Sequence, residues 1–186
     1  MPSRSVPPSL PARSRAQALS RGALLCALTA VLAQVAVPIP PVPLTLSLLG
    51  VLLCGALLGA RQGALAVGAY LFMGACSLPV FAGFSGGPGA LLGPTGGFLL
   101  GYLPCAALTG ALVRRFGLRM PALCLSMAAG TAACYACGTA WYAASAGVPL
   151  PAALAACVLP FLPGDAVKIV LAAALTRRIR PLLARS

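Results

Sequence analysis

The sequence predicts an all-α integral membrane protein built as a compact bundle of six transmembrane helices. Of its 186 residues, 60% are hydrophobic and only 8% are charged, and the mean hydropathy of +0.99 lies far above the values of water-soluble domains. Because a membrane helix needs roughly 20 apolar residues, this length allows six spans joined by short connections. It leaves no room for a second domain.

The positions of the arginines predict how these spans are oriented. Arginines precede the first apolar run and follow the second, the fourth and the last, whereas the connections at about 38–43, 79–95 and 144–151 contain no lysine or arginine. All the arginines therefore fall on one side of a six-span bundle, and the positive-inside rule places that side and both termini in the cytoplasm. The net charge of +12 could also suit nucleic-acid binding, but such a protein needs a polar scaffold that this chain lacks.

The basic ends of the chain are predicted to flank the membrane domain as cytoplasmic tails. Residues 1–20 are rich in proline, serine and arginine, and no Ala-x-Ala cleavage pattern follows a short apolar core as it would in a signal peptide. We expect a basic tail at 1–20, the six-helix membrane domain at 21–176 and a second basic tail at 177–186.

Each span is placed by its apolar run and by the residues that end it. The first is followed by the proline-rich segment PIPPVP, the third begins after Arg61 in a tight hairpin, and the sixth is interrupted by PFLPGD. The fifth ends at Trp141 and Tyr142, an aromatic pair typical of the outer membrane interface. The predicted spans are 21–37, 44–60, 62–78, 96–113, 121–143 and 152–176.

The connection LPVFAGFSGGPGALLGPTGG, at 78–97, is too rich in glycine and proline to form one regular helix. It is also uncharged and fairly apolar, whereas a solvated loop would carry more polar side chains. We therefore expect it to fold back over the bundle as a lid or re-entrant segment. A plain linker is the alternative.

The lone acidic residue of the chain and its lone lysine lie three positions apart in the last apolar segment. Asp165 and Lys168 share one helix face at this spacing, directly after a break at Pro163 and Gly164. Ionisable groups at membrane depth are costly and are usually kept for function, and a broken helix beside such a group is typical of transporter binding sites. A self-neutralising pair that caps the helix is the alternative. We favour recognition of a polar ligand.

The chain lacks the residues that common catalytic and ATP-hydrolysing sites require. It has no histidine and a single acid, so a carboxylate dyad, a Ser-His-Asp triad or a His-ligated metal site cannot be built. No G-x-x-x-x-G-K-[ST] phosphate loop is present, so energy from ATP would have to come from partners. Cys134 and Cys137 form a C-x-x-C that could serve a membrane thiol oxidoreductase, but all eight cysteines lie in apolar runs, as packing residues do. We expect no enzyme activity, no metal and no cofactor.

Three segments strongly resemble the BioY family, the biotin-specific substrate-binding (S) components of energy-coupling-factor transporters. They are IPPVPLTLSLLGVLLCGALLGARQGALAVGAYLFMG at 39–74, LPVFAGFSGGPGALLGPTGGFLLGY at 78–102 and LPFLPGDAVKIVLAAAL at 159–175. The resemblance implies a bacterial cytoplasmic-membrane protein whose loops cover an outward-facing biotin pocket. It also implies a scaffold transmembrane subunit and two cytoplasmic ATPase subunits as partners. A related component for a different vitamin would share this architecture.

The resemblance also suggests which residues contact the ligand. The motif PGDAVK would supply an acid and a lysine, so we expect Asp165 to accept from the ureido ring of biotin and Lys168 to neutralise an acceptor oxygen. Further apolar walls and hydrogen-bonding groups are expected nearby. The candidates are Tyr70, Phe81, Phe84, Ser85, Thr95 and Gly96.

Two further features bear on partners and specificity. Ala23, Ala27 and Ala30 recur at helical spacing and resemble the A-x-x-x-A surface that docks to the scaffold subunit, although alanine richness alone would produce the same pattern. Ser47 stands where the family usually has glutamine, which leaves the hydrogen bonding around the pocket open.

Overall fold

The computed structural model describes residues 12–37 and 42–183, so most of the predicted N-terminal tail and of the PIPPVP loop lies outside the described residues. β1 (Ala36–Val37) pairs antiparallel with β2 (Leu44–Thr45), and a 3-10 helix spans Ala82–Phe84. The α-helices of the described part are α1 (Ala12–Gln34), α2 (Ser47–Leu58), α3 (Ala60–Ala75), α4 (Pro88–Leu92), α5 (Gly96–Phe116), α6 (Met120–Ala146), α7 (Leu150–Cys157) and α8 (Leu162–Leu183).

The membrane helices follow the predicted spans but differ in length. Three helices are long and apolar enough to cross a membrane: α1 from Ala16 onward, α5 and α6. The pair α7 and α8, bent by 57°, meets the same test as one broken span. In contrast, α2 has 12 residues and α3 has 16. At 1.5 Å per residue these helices are about 18 and 24 Å long, shorter than the roughly 30 Å hydrocarbon core. The spans expected at 44–60 and 62–78 are therefore too long.

A sharp turn at Gly59 shortens both helices. Its φ of 84° is a conformation that L side chains rarely adopt, and it alone separates α2 from α3. The chain folds back here so closely that a Cβ at Gly63 would lie 2.7 Å from the carbonyl oxygen of Cys54. The tight hairpin expected around Arg61 thus forms two residues earlier, at Gly59.

The centre of the bundle is α2. Its residues from Ser47 to Ala56 are buried on every side, and it packs against α1, α3, α5 and α8. The largest helix contact lies between α5 and α6, where a Cβ at Gly130 would strike the hydroxyl of Thr109. Small residues at these crossings bring the backbones close enough for van der Waals packing, which holds helices together in lipid.

The segment between α3 and α5 is folded against the bundle rather than extended as a plain linker. A β-bridge joins Phe81 to Ser85, and the side-chain amide of Gln34 on α1 fixes this turn. Its Nε2 donates to the carbonyl of Phe81 at 3.1 Å and its Oε1 accepts from the backbone N–H of Phe84 at 2.9 Å. Further on, Trp141 Nε1 donates to the carbonyl of Gly93 at 3.0 Å. The segment is therefore attached to both α1 and α6.

The first and last helices meet at one end of the molecule. Arg21 Nη2 donates to the carbonyl oxygen of Leu183 at 3.1 Å, which brings the start of α1 beside the end of α8. Both helices extend beyond the limits predicted for the membrane domain, 21 and 176, because α1 begins at Ala12 and α8 ends at Leu183.

Candidate functional site

A cavity lies among the segment before α2 and the helices α2, α5, α6, α7 and α8. Its cavity volume is about 50 Å³, and about 400 Å³ when the open space at its mouth is included. Most of its wall is apolar, and the polar groups are concentrated on a few side chains, which is the usual character of a small-molecule site. The apolar wall includes Val42, Leu44, Leu48, Phe98 and Phe161, and the polar side chains are Thr45, Tyr102, Tyr135, Asp165 and Lys168.

The two charged residues selected from the sequence form a buried ion pair in this cavity. Lys168 Nζ lies 2.6 Å from Asp165 Oδ1, and each residue is only 5% exposed. Tyr135, on α6, donates its hydroxyl to the second carboxylate oxygen, Asp165 Oδ2. An ammonium has three N–H donors and a carboxylate oxygen has two lone pairs. Within the described chain, the pair therefore keeps two donors and further acceptor capacity for a ligand.

The break before α8 places this pair at the cavity. The chain bends by 57° between α7 and α8, so the last span is interrupted as predicted. The break lies at 158–161, however, and not at Pro163 and Gly164, which belong to the start of α8. Asp165 lies in the first turn of α8, where a negative charge is favoured by the helix dipole, and its backbone N–H donates to the carbonyl of Phe161 at 2.8 Å. Lys168 follows almost one turn later on the same face.

A second polar group of the site is a chain of three hydroxyls, which we call the hydroxyl chain: Thr45, Ser47 and Tyr102. Ser47 Oγ lies 2.5 Å from Thr45 Oγ1 and 2.6 Å from Tyr102 Oη. Ser47 is 2% exposed, and the two outer members line the cavity. Ser47 is therefore a short, buried side chain with two hydrogen-bonding neighbours.

Sequence reasoning did not select Tyr102, Tyr135 or Thr45. The signal that could have found the tyrosines is a phenol hydroxyl within an otherwise apolar span, because such a group needs a partner when it is buried. No spacing rule connects them with Asp165, since they lie on different helices.

The other six predicted contact residues do not line this cavity, and their role in ligand binding stays a prediction. Tyr70 and Phe81 are buried against each other, with ring centroids 5.4 Å apart and an interplanar angle of 77°. Phe84 is 72% exposed, and the Ser85 hydroxyl donates to a backbone carbonyl of its own turn. Thr95 precedes α5 and Gly96 begins it.

A separate groove, about 2020 Å³ including the solvent at its mouth, runs along α1, α2 and α3. Ala23 and Ala27 from the predicted docking stripe line it and are exposed, whereas Ala30 is half-buried against the core. Leu57 and Leu58, at the end of α2, form part of the opposite wall.

All eight cysteines are free thiols. Cys134 is buried at the cavity wall, with its Sγ 3.5 Å from the carbonyl oxygen of Phe98, and Cys137 is exposed. The two thiols of the C-x-x-C pattern are therefore unbonded and differ in their exposure.

Known proteins are similar to this chain in both sequence and fold. The model of the BioY family matches residues 6–185. The biotin transporter BioY of Rhodobacter capsulatus is 42% identical over 153 residues, which cover 74% of this chain and 78% of the relative. The probable biotin transporter BioY of Pyrococcus horikoshii is 39% identical over 169 residues, which cover 89% and 98%.

The solved structures include a crystal structure of the S-component for biotin from an ECF-type ABC transporter. It superposes with a TM-score of 0.86 at 28% sequence identity, covering 93% of this chain and 95% of that chain. This match confirms the predicted six-helix membrane bundle. The chain belongs to the BioY family.

Proposed function

We propose that this protein binds biotin and carries it across the cytoplasmic membrane of a bacterium as the substrate-specific component of an energy-coupling-factor transporter. The observation that carries the proposal is the buried Asp165–Lys168 pair. It lines a cavity, and it retains donors and acceptors that its internal hydrogen bonds do not use. Such a pair adds little stability over apolar residues, so ligand recognition gives it a reason to be present. The relatives named above as biotin transporters supply the ligand's identity.

The chemistry of biotin suits the cavity. Its ureido ring presents two N–H donors and a carbonyl oxygen on a fused, largely apolar bicycle. In our proposal Asp165 accepts from a ureido N–H and Lys168 donates to an acceptor oxygen of the ligand. Phe98 and Phe161 of the cavity wall then cover the apolar faces of the bicycle and its side chain.

The protein acts as a transporter subunit and not as an enzyme. Because the chain has no phosphate loop and its one acid is engaged by Lys168 and Tyr135, ATP hydrolysis would come from two cytoplasmic ATPase subunits. We propose that the scaffold transmembrane subunit docks in the groove along α1, α2 and α3, where Ala23 and Ala27 leave the backbone accessible.

The proposed orientation has both termini in the cytoplasm. The contact between Arg21 and Leu183 is compatible with it, because it brings the two ends of the membrane domain together. The arginines of the last turn of α5, of the α5–α6 connection and of α8 then interact with the anionic inner leaflet. The biotin cavity would open toward the outside.

Biotin binding to the detergent-purified protein, measured by titration calorimetry, tests the proposal. Asp165→Asn and Lys168→Ala should each weaken binding by more than tenfold, about 1.4 kcal/mol. Arg178→Ala, which removes an exposed cation from the same helix, is the matched control and should bind normally. If the folded native protein does not bind biotin but binds riboflavin or thiamine, biotin is not its ligand.

A further inference from the structure

Phe98 lies between the cavity and a glycine of the neighbouring helix. It forms part of the cavity wall and packs on Val42, Cys157 and Phe161, which line the same cavity. On α6, the ring of Phe98 meets Gly138. A Cβ at this glycine would lie 2.3–2.4 Å from three atoms of the ring, whereas carbon atoms in ordinary contact are about 3.5–4.0 Å apart. The ring therefore occupies the space that a side chain at position 138 would need.

The helices α5 and α6 are in close contact on both sides of Phe98. Before it, a Cβ at Gly97 would lie 2.1 Å from the Cβ of Trp141. After it, a Cβ at Gly101 would lie 3.0 Å from the carbonyl oxygen of Cys134. Moving the helices apart to admit a methyl group would break this packing, which holds helices together in lipid. An extra methyl group therefore displaces the ring, which can turn about its side-chain bonds, and the free space beside the ring is the cavity.

From these contacts we infer that Gly138 is a specificity-determining residue. Because it has no side chain, the Phe98 ring can lie back against α6, and this position of the ring sets the width of the pocket for the fused ring system of biotin. Gly138 does not line the cavity itself, so it is a positioning residue that acts through Phe98. The inference rests on the proposed function, because it assumes that biotin occupies the cavity.

The size of the effect follows from the contact distance. To restore an ordinary carbon contact with a new Cβ at position 138, the ring has to shift by about 1.2 Å, from 2.3 Å to roughly 3.5 Å. The shift narrows the cavity between Phe98 and the other apolar wall residues. A rigid bicycle cannot adapt to a narrower pocket, whereas a single ring with freely rotating substituents can.

The test compares Gly138→Ala with a control glycine of the same helix interface. Gly130→Ala places the same methyl group between α6 and α5, against Thr109 and outside the cavity lining. The double variant Gly138→Ala/Phe98→Leu replaces the displaced ring by a smaller side chain. Dissociation constants are measured in detergent for biotin and for desthiobiotin, which lacks the sulfur atom and therefore the second ring. Thermal unfolding without ligand reports the stability of each variant.

We expect Gly138→Ala to weaken biotin binding about tenfold and desthiobiotin binding less than threefold. The double variant should recover biotin affinity to within threefold of the native value, and Gly130→Ala should bind both ligands like the native protein. Three results would overturn the inference: unchanged biotin binding by Gly138→Ala, equal losses for the two ligands, or a loss that Phe98→Leu does not rescue. The last two would mean that Gly138 only holds the helices together.

A second variant keeps the inference testable if Gly138→Ala does not fold. Phe98→Leu beside the native Gly138 widens the pocket on the same side. It should improve the binding of biotin sulfone, which carries two added oxygens on the ring sulfur, at least threefold relative to biotin. An unchanged ratio of the two affinities would show that Phe98 does not limit the pocket and would overturn the inference.

Failure of the inference is distinct from failure of the proposed function. Tight binding of biotin by the native protein together with an insensitive Gly138→Ala variant refutes the role of Gly138 alone. Absence of biotin binding by the native protein refutes both.

Discussion

Removing one partner of the buried ion pair should destabilise this protein far more than removing both. Asp165 and Lys168 are each 5% exposed, with their charged atoms 2.6 Å apart, so either single substitution leaves a buried charge unpaired. Breaking such a pair costs about 3–5 kcal/mol, whereas replacing both partners by apolar residues is close to neutral. Lys168→Met should lower the unfolding free energy by about 3 kcal/mol, because Tyr135 still donates to the carboxylate. Asp165→Leu should lower it by about 5 kcal/mol, because it leaves both an ammonium and a hydroxyl buried without a partner.

The double variant Asp165→Leu/Lys168→Met retains only the unpaired Tyr135 hydroxyl as a defect, at a cost of about 1–3 kcal/mol. The losses of the two single variants sum to ~8 kcal/mol, whereas the double variant loses at most ~3 kcal/mol. The double-mutant cycle should therefore give a coupling free energy between Asp165 and Lys168 of at least ~5 kcal/mol. Unfolding free energies can be compared by denaturant titration in detergent without biotin, with the fluorescence of the single Trp141 as the signal. Arg178→Met, an exposed change on the same helix, should stay within about 0.5 kcal/mol of the native value.

Measuring biotin binding in the same three variants distinguishes an effect on ligand recognition from an effect on stability. We expect all of them to lose binding, including the double variant whose stability is largely restored. Two results would refute the reasoning: single losses that simply add in the double variant, or a double variant that binds biotin normally. The first would mean that the charges are solvated separately, and the second that the pair is not part of the site.

Three further substitutions probe the polar site, the helix packing and the folded loop. Tyr135→Phe should weaken biotin binding about tenfold by calorimetry, because the Asp165 carboxylate proposed to accept from the ligand loses the hydroxyl that positions it. The control Tyr142→Phe should bind biotin like the native protein. Equal affinities of the two variants would contradict the role of Tyr135. Gly130→Ala should lower stability by about 1–3 kcal/mol in thermal unfolding, since its Cβ would overlap α5, whereas Gly89→Ala meets no atom within 4 Å and should be tolerated. Gln34→Ala should speed amide exchange in the loop at 78–95, because two of the three hydrogen bonds of its amide hold that loop. Unchanged exchange would show that packing alone fixes the loop.

The sequence was sufficient for the features that depend on composition and on single charges. Apolar runs predicted 96–113 and 121–143, and α5 and α6 extend only a few residues beyond them. Asp165 and Lys168 stood out because no other acid or lysine competes with them, and their spacing of three fixed a shared helix face. Charges in lipid have so few acceptable environments that identity and spacing alone predicted a shared helix face. The ion pair that the two residues form was the less favoured alternative to free recognition of a ligand.

The remainder of the site depends on how helices approach one another, which no local pattern encodes. Thr45, Tyr102 and Tyr135 are distant in sequence and line one cavity only because β2, α5 and α6 surround it. Phe81 appeared suitable as a pocket wall, yet its ring fills the space that Gly74 leaves by having no Cβ. Composition predicted that the loop folds back against the bundle, but not that Gln34 of α1 and Trp141 of α6 are the side chains that hold it.

The central position of α2 gives the cavity and the groove a common element. Its first turn carries Ser47 and Leu48 at the cavity, and its last turn carries Leu57 and Leu58 at the groove. The helix is only about 18 Å long and is buried on every side from Ser47 to Ala56, so both of its ends are packed closely among its neighbours. A partner seated in the groove and a ligand in the cavity therefore contact opposite ends of one helix. Any tilt of α2 that repacks the groove also displaces the hydroxyl chain, because Ser47 is its middle member.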